Sequence, residues 1–486
     1  MGPAAFAWID RLCDAGQGWW QALPLGPTGY ANSPYQALSS FAGNWLLISP
    51  EALIDEGLLN VSDCAGHSFP ADFVDYEAVT TFKRSLIERA CDNFVRGECP
   101  GLRPAYEQFC SSQAHWLDDY ALFRALKNKY NGAYYVEWPA ELVGRVPRAL
   151  AQAKQELDAE IQKVRFGQFL LFRQGGRLKE YARGKGLRLI GDLPFFVSPD
   201  SSDVWANPEL FQLDGQRRPR FVAGVPPDYF SAQGQLWGNP VYDWDALKRT
   251  GYRWCLDRLR ALLEHVDMIR LDHFRALVAA WHIPAGAPTA QSGNWVSGPG
   301  ADFFEAAKRE FGTLPFIAED LGMITPDVPA LRDRYQLPGM RVLQFGFDGD
   351  SKNTHLPENY VHNSVVYTGT HDNNTTRGWF EALPDSQKQI VRNYLGRPAD
   401  EVSAELIRRI WTSRAALAMA PLQDLLNLGA EARMNVPGST QGNWSWRCTE
   451  SMLSGPAFGW LRDLTNASNR ARAVAAQYEA IPMTVS

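Results

Sequence analysis

The amino-acid sequence predicts an α/β protein, a TIM (β/α)8 barrel with helical insertions. Short apolar runs alternate with longer amphipathic stretches, as parallel strands joined by crossover helices require. Three of these runs end in acidic residues, at Asp272, Glu319 and Asp372. Barrel enzymes hold their chemistry at the carboxyl ends of the strands. A chain of 486 residues that is 45% hydrophobic can bury the core that such a barrel needs.

Seven strands can be located from apolar and β-branched runs. They are predicted at 18–23, 187–193, 266–271, 314–318, 342–347, 364–367 and 421–426. Helices are predicted between them at 252–264, 302–311, 327–335 and 404–419. The first and last of these helices show apolar residues three and four apart, as one buried helix face requires. One more strand is needed to close an eight-stranded barrel.

We expect residues 1–486 to form a single barrel, because Pro and Gly are spread through turns rather than gathered in a linker. Residues 50–175 break the strand–helix rhythm and are predicted to form a largely helical insertion subdomain. Residues 200–245 are predicted to form a second, loop-rich insertion.

Composition excludes several classes of function. The formal net charge is −6 with both signs interspersed, so neither a nucleic-acid surface nor an anionic-membrane surface is predicted. No signal peptide and no membrane span is visible. The 7 cysteines are scattered without a C-x-x-C pair, which indicates reduced thiols in a cytoplasmic protein. The 17 Trp, 17 Tyr and 25 Phe suit both core packing and stacking on sugars.

The strand before Asp272 places Met268, Arg270 and Asp272 on one face, because side chains alternate with a period of two. An arginine beside an aspartate favours the ionised carboxylate, which suits a nucleophile. The alternative is an ordinary ion pair at a strand end.

Glu319 follows an apolar run, so partial burial is expected to raise its pKa and to let it act as a general acid. Its neighbour Asp320 points to the opposite face, and the sequence favours neither residue as the structural one. His371 and Asp372 follow a β-branched strand, although such residues also form Asx turns. Two carboxyls that flank a bond, with a third that binds substrate, are typical of glycoside chemistry.

Metal chemistry is not predicted, because no His/Asp/Glu cluster has ligand spacing. His265, Asp267 and Asp272 share a strand but point to mixed faces. No cofactor is implied either, because an acid pair and a covalent step suffice.

A series of motifs in order resembles the 4-alpha-glucanotransferases of the amylomaltase (disproportionating enzyme) family, which belong with the α-amylase-type barrels. The motifs span nearly the whole chain: Leu-Pro-Leu-Gly-Pro-Thr-Gly-Tyr30, Ser-Pro-Tyr35-Gln, Ile-Gly-Asp192-Leu-Pro, Val-Pro-Pro-Asp228-Tyr-Phe, Gly-Gln-Leu-Trp237-Gly-Asn-Pro, Arg270-Leu-Asp272-His-Phe-Arg, Ala-Glu319-Asp-Leu-Gly, Leu-Pro-Gly-Met340 and Thr-Gly-Thr-His371-Asp372-Asn.

The resemblance implies a role for each acid. Asp272 would form a covalent glucosyl-enzyme, and Glu319 would act first as acid and then as base. Asp372 would hold the hydroxyls of the distorted sugar, with His371 and Arg270 assisting. A retaining mechanism of this kind implies carboxyls about 5 to 5.5 Å apart.

The resemblance also implies residues that bind α-1,4-glucans and maltooligosaccharides. Asp192 would line the pocket, and Tyr30 and Tyr35 would stack on sugars. Residues 223–240, with Trp237, resemble a lid over the acceptor site that excludes water, although a buried surface loop is the alternative. Asn443 and its neighbouring tryptophans could add a platform or form a packed terminal loop.

Two departures from the family pattern affect the expectations. The chain opens inside what should be the first helix, so we expect the first strand to be missing, this chain to be weakly active or insoluble, and an N-terminally extended chain to be active. Asn374 stands where the family has Asp. The competing functions are an α-1,4-glucan hydrolase and an inactive glucan-binding barrel, and the sequence gives no prediction of oligomeric state.

Overall fold

The computed structural model describes residues 1–227, 232–396 and 401–471. The predicted lid is therefore described on both sides of residues 228–231, and the motif residue Asp228 lies outside the described residues.

The described residues contain eleven strands in two sheets. They are β1 (Trp19–Gln21), β2 (Arg188–Leu193), β3 (Phe221–Val225), β4 (Gln235–Pro240), β5 (Met268–Leu271), β6 (Ala279–Pro284), β7 (Asn294–Ser297), β8 (Phe316–Ala318), β9 (Gly339–Val342), β10 (Ser364–Tyr367) and β11 (Leu417–Met419). Seven of these described strands form one parallel sheet in the order β1-β2-β5-β8-β9-β10-β11. The other four form an antiparallel sheet in the order β4-β3-β6-β7.

Helices connect and cover the parallel strands. In the described part of the chain they are α1 (Pro3–Asp14), α2 (Pro50–Asp55), α3 (Tyr76–Val95), α4 (Arg103–Ser112), α5 (Ala114–Lys129), α6 (Ala140–Val143), α7 (Pro147–Glu156), α8 (Asp158–Gly184), α9 (Ser202–Ala206), α10 (Trp244–Arg249), α11 (Arg253–His265), α12 (Ala301–Phe311), α13 (Asp327–Arg334), α14 (Thr376–Ala382), α15 (Asp385–Leu395), α16 (Val402–Trp411), α17 (Leu422–Leu425), α18 (Glu450–Leu453) and α19 (Ala457–Ala467). None of these helices is both long and apolar enough to cross a membrane.

The inward face of the parallel sheet is apolar in the earlier part of its strands and polar at their carboxyl ends. Alternate residues such as Ile190, Met268 and Ile317 pack into one buried cluster. The next inward positions along two of the same strands are Asp192 and Arg270, because side chains on one face recur every second residue. The strands therefore carry their charged groups at their carboxyl ends, beyond an apolar layer of side chains.

The stretch from α2 to α8 is helical and has a core of its own. Buried residues of α2, α3 and α8, including Leu53, Phe82, Phe94 and Phe166, form a cluster separate from the barrel interior. The long helix α8 contacts α5 on one side and β2 on the other, so it joins this helical layer to the barrel.

Two predicted strands were placed wrongly. The strand expected at 342–347 lies at Gly339–Val342, and the apolar run that follows it forms a 3-10 helix over Leu343–Gly346. The strand expected at 421–426 is a short helix, while β11 lies just before it, inside the predicted 404–419 helix. Residues on both sides of 228–231 form β3 and β4, where a lid loop was predicted.

The parallel sheet ends at β1 and β11 within the described residues. A cleft of about 290 Å³ lies between these end strands and is lined by Trp20 of β1, Met419 of β11 and Trp8 of α1. It reaches the barrel interior at Arg270 and the polar end of the barrel at His371. The described strands thus form a barrel wall with an opening where an eighth strand would lie.

Candidate active site

Neighbouring strands β2 and β5 bring an arginine between two carboxylates. Asp192 and Arg270 are direct register partners. One guanidinium nitrogen of Arg270, Nη1, donates to both carboxylate oxygens of Asp192 at 2.8 Å and to Oδ1 of Asp272 at 3.0 Å. Arg270 and Asp192 are buried, whereas the Asp272 side chain keeps 27% of its surface exposed. Asp272 is thus the carboxylate of this trio that remains open to a substrate.

Burial dominates the ionisation of Asp272. It raises the pKa of Asp272 to about 6, against the opposing effect of Arg270, and the negative charges of Asp192 and Asp372 raise it further. Arg270 does favour the ionised form, as the sequence suggested, but burial outweighs it. A pKa near 6 still leaves Asp272 mostly ionised at neutral pH.

Glu319 lies at the end of β8 and is fixed by backbone donors from two sides. Its Oε2 accepts from the backbone N–H of His273 at 2.7 Å, and its Oε1 accepts from the N–H of Leu321 at 3.0 Å. Burial raises the pKa of Glu319 to about 8, with a further rise from the charge of Asp272. A carboxyl of this kind holds its proton at neutral pH, as a general acid must.

His273 owes its position to an unusual backbone conformation. It adopts the left-handed region with φ 46°, which turns its N–H towards Glu319 directly after Asp272. A left-handed non-glycine residue is uncommon and is often found at functional sites.

Asp320 is the structural member of the Glu319–Asp320 pair. It is 6% exposed, forms an ion pair with Arg332 and accepts from the backbone N–H of Met340 at 2.7 Å. It therefore ties the end of β8 to α13 and β9.

His371 and Asp372 lie in the turn after β10. The turn is closed by Asn373, whose Oδ1 accepts from the N–H and the hydroxyl of Thr370 at 2.9 and 2.8 Å. Nε2 of His371 is 3.5 Å from Oδ1 of Asp372, and half of the Asp372 side chain is exposed. This bond runs from Asn373 back to Thr370, so it differs from an Asx turn, in which the side chain accepts from the N–H two residues further on.

Tyr35 connects this turn to the buried charges. Its ring stacks on His371 with centroids 5.1 Å apart and planes 16° apart, and its hydroxyl donates to Asp192 at 2.7 Å. Trp444 packs against both rings at 5.8 and 6.0 Å. Three aromatic rings thus border the site beside Asp372.

The other predicted binding residues lie in different surroundings. Tyr30 is 74% exposed. Trp237 is half-buried and meets the ring of His273 edge-on at 4.8 Å. The amide of Asn443 donates to the carbonyls of Val436 and Ser439, so it is occupied within its own loop.

Two polar residues near Asp372 were missed by sequence reasoning. Nδ2 of Asn435 donates to Oδ1 of Asp372 at 2.6 Å, and Nη2 of Arg433 donates to the backbone carbonyl of Asp372 at 2.7 Å. They lie about sixty positions after Asp372 in a polar loop, and no local pattern marks them. In the described part of the chain, no group of three or more His, Cys, Asp and Glu residues could hold a metal ion.

Comparisons with known proteins show which proteins this chain resembles. A family model described as 4-alpha-glucanotransferase matches residues 1–453. The 4-alpha-glucanotransferase of Synechocystis sp. is 46% identical over 97% of this chain and 94% of its own length. That of Thermus thermophilus is 46% identical over 97% and 95%. The amylomaltase of Streptococcus agalactiae, solved in complex with acarbose, superposes with a TM-score of 0.93 at 36% identity, over 97% of this chain and 95% of that one.

Proposed function

The chain belongs to the 4-alpha-glucanotransferase family of glucan-transferring enzymes, and we propose that it moves α-1,4-glucan segments between maltodextrins by a retaining double displacement. The observation that carries this mechanism is the pair of carboxyls at the ends of β5 and β8. Burial and charge place the pKa of Asp272 at about 6 and that of Glu319 at about 8. Near neutral pH one carboxyl is therefore ionised while its neighbour is protonated, which assigns nucleophile and acid.

In the first displacement, the Asp272 carboxylate attacks the anomeric carbon of the donor glucan. The bond from this carbon to the glycosidic oxygen breaks, and Glu319 gives its proton to that oxygen as the shorter glucan departs. The product is a glucosyl ester on Asp272. We expect the two carboxyls to lie about 5 to 5.5 Å apart during this step.

In the second displacement, Glu319 acts as a base on the 4-hydroxyl of an acceptor glucan. The hydroxyl oxygen attacks the anomeric carbon, the ester bond to Asp272 breaks, and the proton returns to Glu319. Two inversions give net retention, and both carboxyls return to their starting states.

The surrounding residues bind the donor sugar in this proposal. Asp372 accepts hydrogen bonds from sugar hydroxyls at the reacting ring, with His371 beside it. Arg270 and Asp192 together adjust the pKa of the nucleophile Asp272, and Tyr35 forms a wall of the pocket.

The outer subsites are proposed at aromatic and amide groups further from the carboxyls. Tyr30 offers an exposed ring to a sugar face, and Trp237 borders the acceptor side next to His273. Asn443 supports an outer sugar contact by holding its own loop in shape. Within the insertion at residues 200–245, the segment 223–240, whose described parts belong to β3 and β4, acts as the lid that keeps water from the glucosyl ester.

We also propose that the enzyme acts on maltooligosaccharides in the cytoplasm, as part of carbohydrate metabolism. The support is the dispersed set of 7 cysteines without a C-x-x-C pair. Cell fractionation with an antibody to the chain tests the location, and recovery from the periplasm or the medium would contradict it.

Incubation of the purified protein with maltotriose tests the function. Transfer predicts glucose together with a ladder of longer maltodextrins, and Asp272→Asn should abolish both while the protein stays folded. Glucose and maltose without longer chains would instead establish the hydrolase. Binding of maltodextrin by the folded protein without any product would establish the inactive barrel.

A further inference from the structure

The loop formed by residues 433–447, here called the bridging loop, contacts the third carboxylate from one side and the helical layer from the other. At one end, Asn435 donates to the carboxylate of Asp372 at 2.6 Å. At the other end, the N–H of Val74 donates to the carbonyl of Ser445 at 2.7 Å, and the N–H of Arg447 donates to the carbonyl of Asp72 at 2.9 Å.

The contact between Asn435 and Asp372 is held in place by further hydrogen bonds. Nε of Arg433 donates to the carbonyl of Asn435 at 2.7 Å while its Nη2 donates to the carbonyl of Asp372. One guanidinium therefore holds both backbones, which leaves the Asn435 amide facing the Asp372 carboxylate. A planar guanidinium suits this task because its donors form a rigid fork.

The middle of the bridging loop is equally well fixed. Trp444 is 8% exposed and adopts a left-handed φ of 62°. Its N–H donates to the carbonyl of Met434, and its carbonyl accepts from the hydroxyl of Tyr76 at 2.7 Å. Its ring packs on Tyr35 and His371, and His371 lies next to Asp372.

Asp372 needs such support because its own turn leaves its side chain half-exposed. A carboxylate that must meet two sugar hydroxyls loses rotamer freedom on binding, and a fixed donor to one oxygen removes part of that loss beforehand. A hydrogen bond to a charged acceptor is also stronger than one between neutral groups.

We propose that Asn435 is a positioning residue, which fixes Oδ1 of Asp372 so that Oδ2 is free and correctly aimed at the reacting sugar. The inference rests on the proposed function, because it concerns the carboxylate assigned there to sugar binding. It adds a residue to that site and makes the bridging loop the connection between the helical layer and Asp372.

The test compares two replacements of Asn435. Asn435→Ala removes the donor, and kcat/KM for maltotriose should fall about tenfold to a hundredfold. Asn435→Asp keeps the shape but places a second carboxylate against Asp372, so kcat/KM should fall further than in Asn435→Ala. If Asn435 only fills space, the isosteric aspartate would be the milder change, and that order would overturn the proposal.

A double-mutant cycle with Asp372→Ala supplies the second readout. Donor α-maltosyl fluoride is used, because its leaving group needs little protonation and slow variants stay measurable. Asn435→Ala should have little effect once Asp372 is gone, since it acts through that carboxylate. Equal losses in both backgrounds would overturn the proposal. Ser439→Ala, in the same loop but without contact to Asp372, is the matched control for loop stability.

The wild-type reaction separates the two hypotheses. If the wild-type protein transfers glucan and the cycle shows no coupling, only the positioning role fails. If the wild-type protein hydrolyses glucan instead, the proposed function fails, and the same cycle measured on hydrolysis still tests Asn435.

Discussion

At the scale of single residues, the ionisation of the site depends on how Arg270 divides its charge. Its Nη1 contacts Asp192 and Asp272 at once. Both carboxylates raise the pKa of Arg270 against the effect of burial, so the guanidinium stays charged. Asp192 takes up part of the attraction that would otherwise stabilise ionised Asp272. Burial is the largest cause of the raised pKa of Asp272, the negative charge of Asp192 adds to it, and Arg270 opposes both.

Replacement of Asp192 tests this division. In Asp192→Asn the negative charge that raises the pKa of Asp272 is removed. The pKa of Asp272 should then fall, and the acid limb of kcat/KM should move to lower pH by about one unit. Tyr35→Phe removes the hydroxyl that donates to Asp192 but no charge, so its acid limb should keep the wild-type position. An acid limb that moves to higher pH in Asp192→Asn would contradict the shared-charge account.

The two carboxyls proposed as nucleophile and acid predict a bell-shaped pH profile. Asp272 must be ionised, so kcat/KM should fall as the pH drops through about 6. Glu319 must be protonated, so kcat/KM should also fall as the pH rises through about 8. Initial rates of transfer from maltotriose, measured at roughly even steps of pH between about 4 and 10, define both limbs.

Glu319→Gln separates the acid from the other groups in this profile. With maltotriose its kcat/KM should fall by about 10² to 10⁴, because the leaving oxygen is no longer protonated. The kcat/KM for fluoride release from α-maltosyl fluoride reports only the first displacement, which needs little acid assistance with this donor. It should therefore lose the alkaline limb and keep much of its wild-type value in Glu319→Gln, although kcat falls because the base of the second displacement is missing. An alkaline limb that persists in this variant would assign that limb to another group.

At the scale of elements, Asp320 shows how a carboxylate beside the site can serve stability alone. It is buried against Arg332 and bonded to the N–H of Met340. Asp320→Asn leaves Arg332 without its buried partner and should lower the free energy of unfolding by about 3–5 kcal/mol. Urea denaturation measures the loss, and kcat/KM per folded molecule should be retained.

Arg332 also supplies the control for this prediction. Its Nη2 lies 2.7 Å from Asp333, whose side chain is 63% exposed. Asp333→Asn should therefore cost less than about 1 kcal/mol. A similar loss of unfolding free energy in both variants would mean that the buried Asp320–Arg332 pair stabilises the protein no more than the exposed Asp333–Arg332 pair.

The elements also show what could be predicted from the sequence. The strands at Arg188–Leu193, Met268–Leu271 and Ser364–Tyr367 were found, because buried parallel strands read as apolar runs. The short β11 was missed because it pairs with β10, more than fifty positions earlier, and local pattern does not record that contact. Asn435 was missed for the same reason, since its proposed role depends on a contact with Asp372, which is distant in sequence.

At the scale of the whole molecule, the opening between β1 and β11 is the feature with the largest expected effect. Both are end strands of the sheet in the described residues, and the cleft between them is lined by Trp20 and Met419. End strands expose unpaired backbone groups, which lowers stability and invites association between molecules. The cleft also reaches His371, which is proposed to lie beside the donor sugar.

A strand added before α1 should fill this opening. A parallel strand followed by α1 (Pro3–Asp14) and then by β1 (Trp19–Gln21) forms a βαβ unit, and the usual right-handed crossover can place the new strand beside β1. We predict that a chain extended by an apolar strand of about five residues and a short turn unfolds at a higher temperature and aggregates less. Its kcat/KM for maltotriose should exceed that of the unextended chain, because the wall beneath His371 is then closed. Thermal unfolding, light scattering and the transfer assay measure the three effects.

An extension of equal length made of Gly and Ser is the control, because it cannot pair as a strand or fill the apolar cleft. Equal behaviour of the two extended chains would show that the opening between β1 and β11 does not limit the stability or the activity of this barrel.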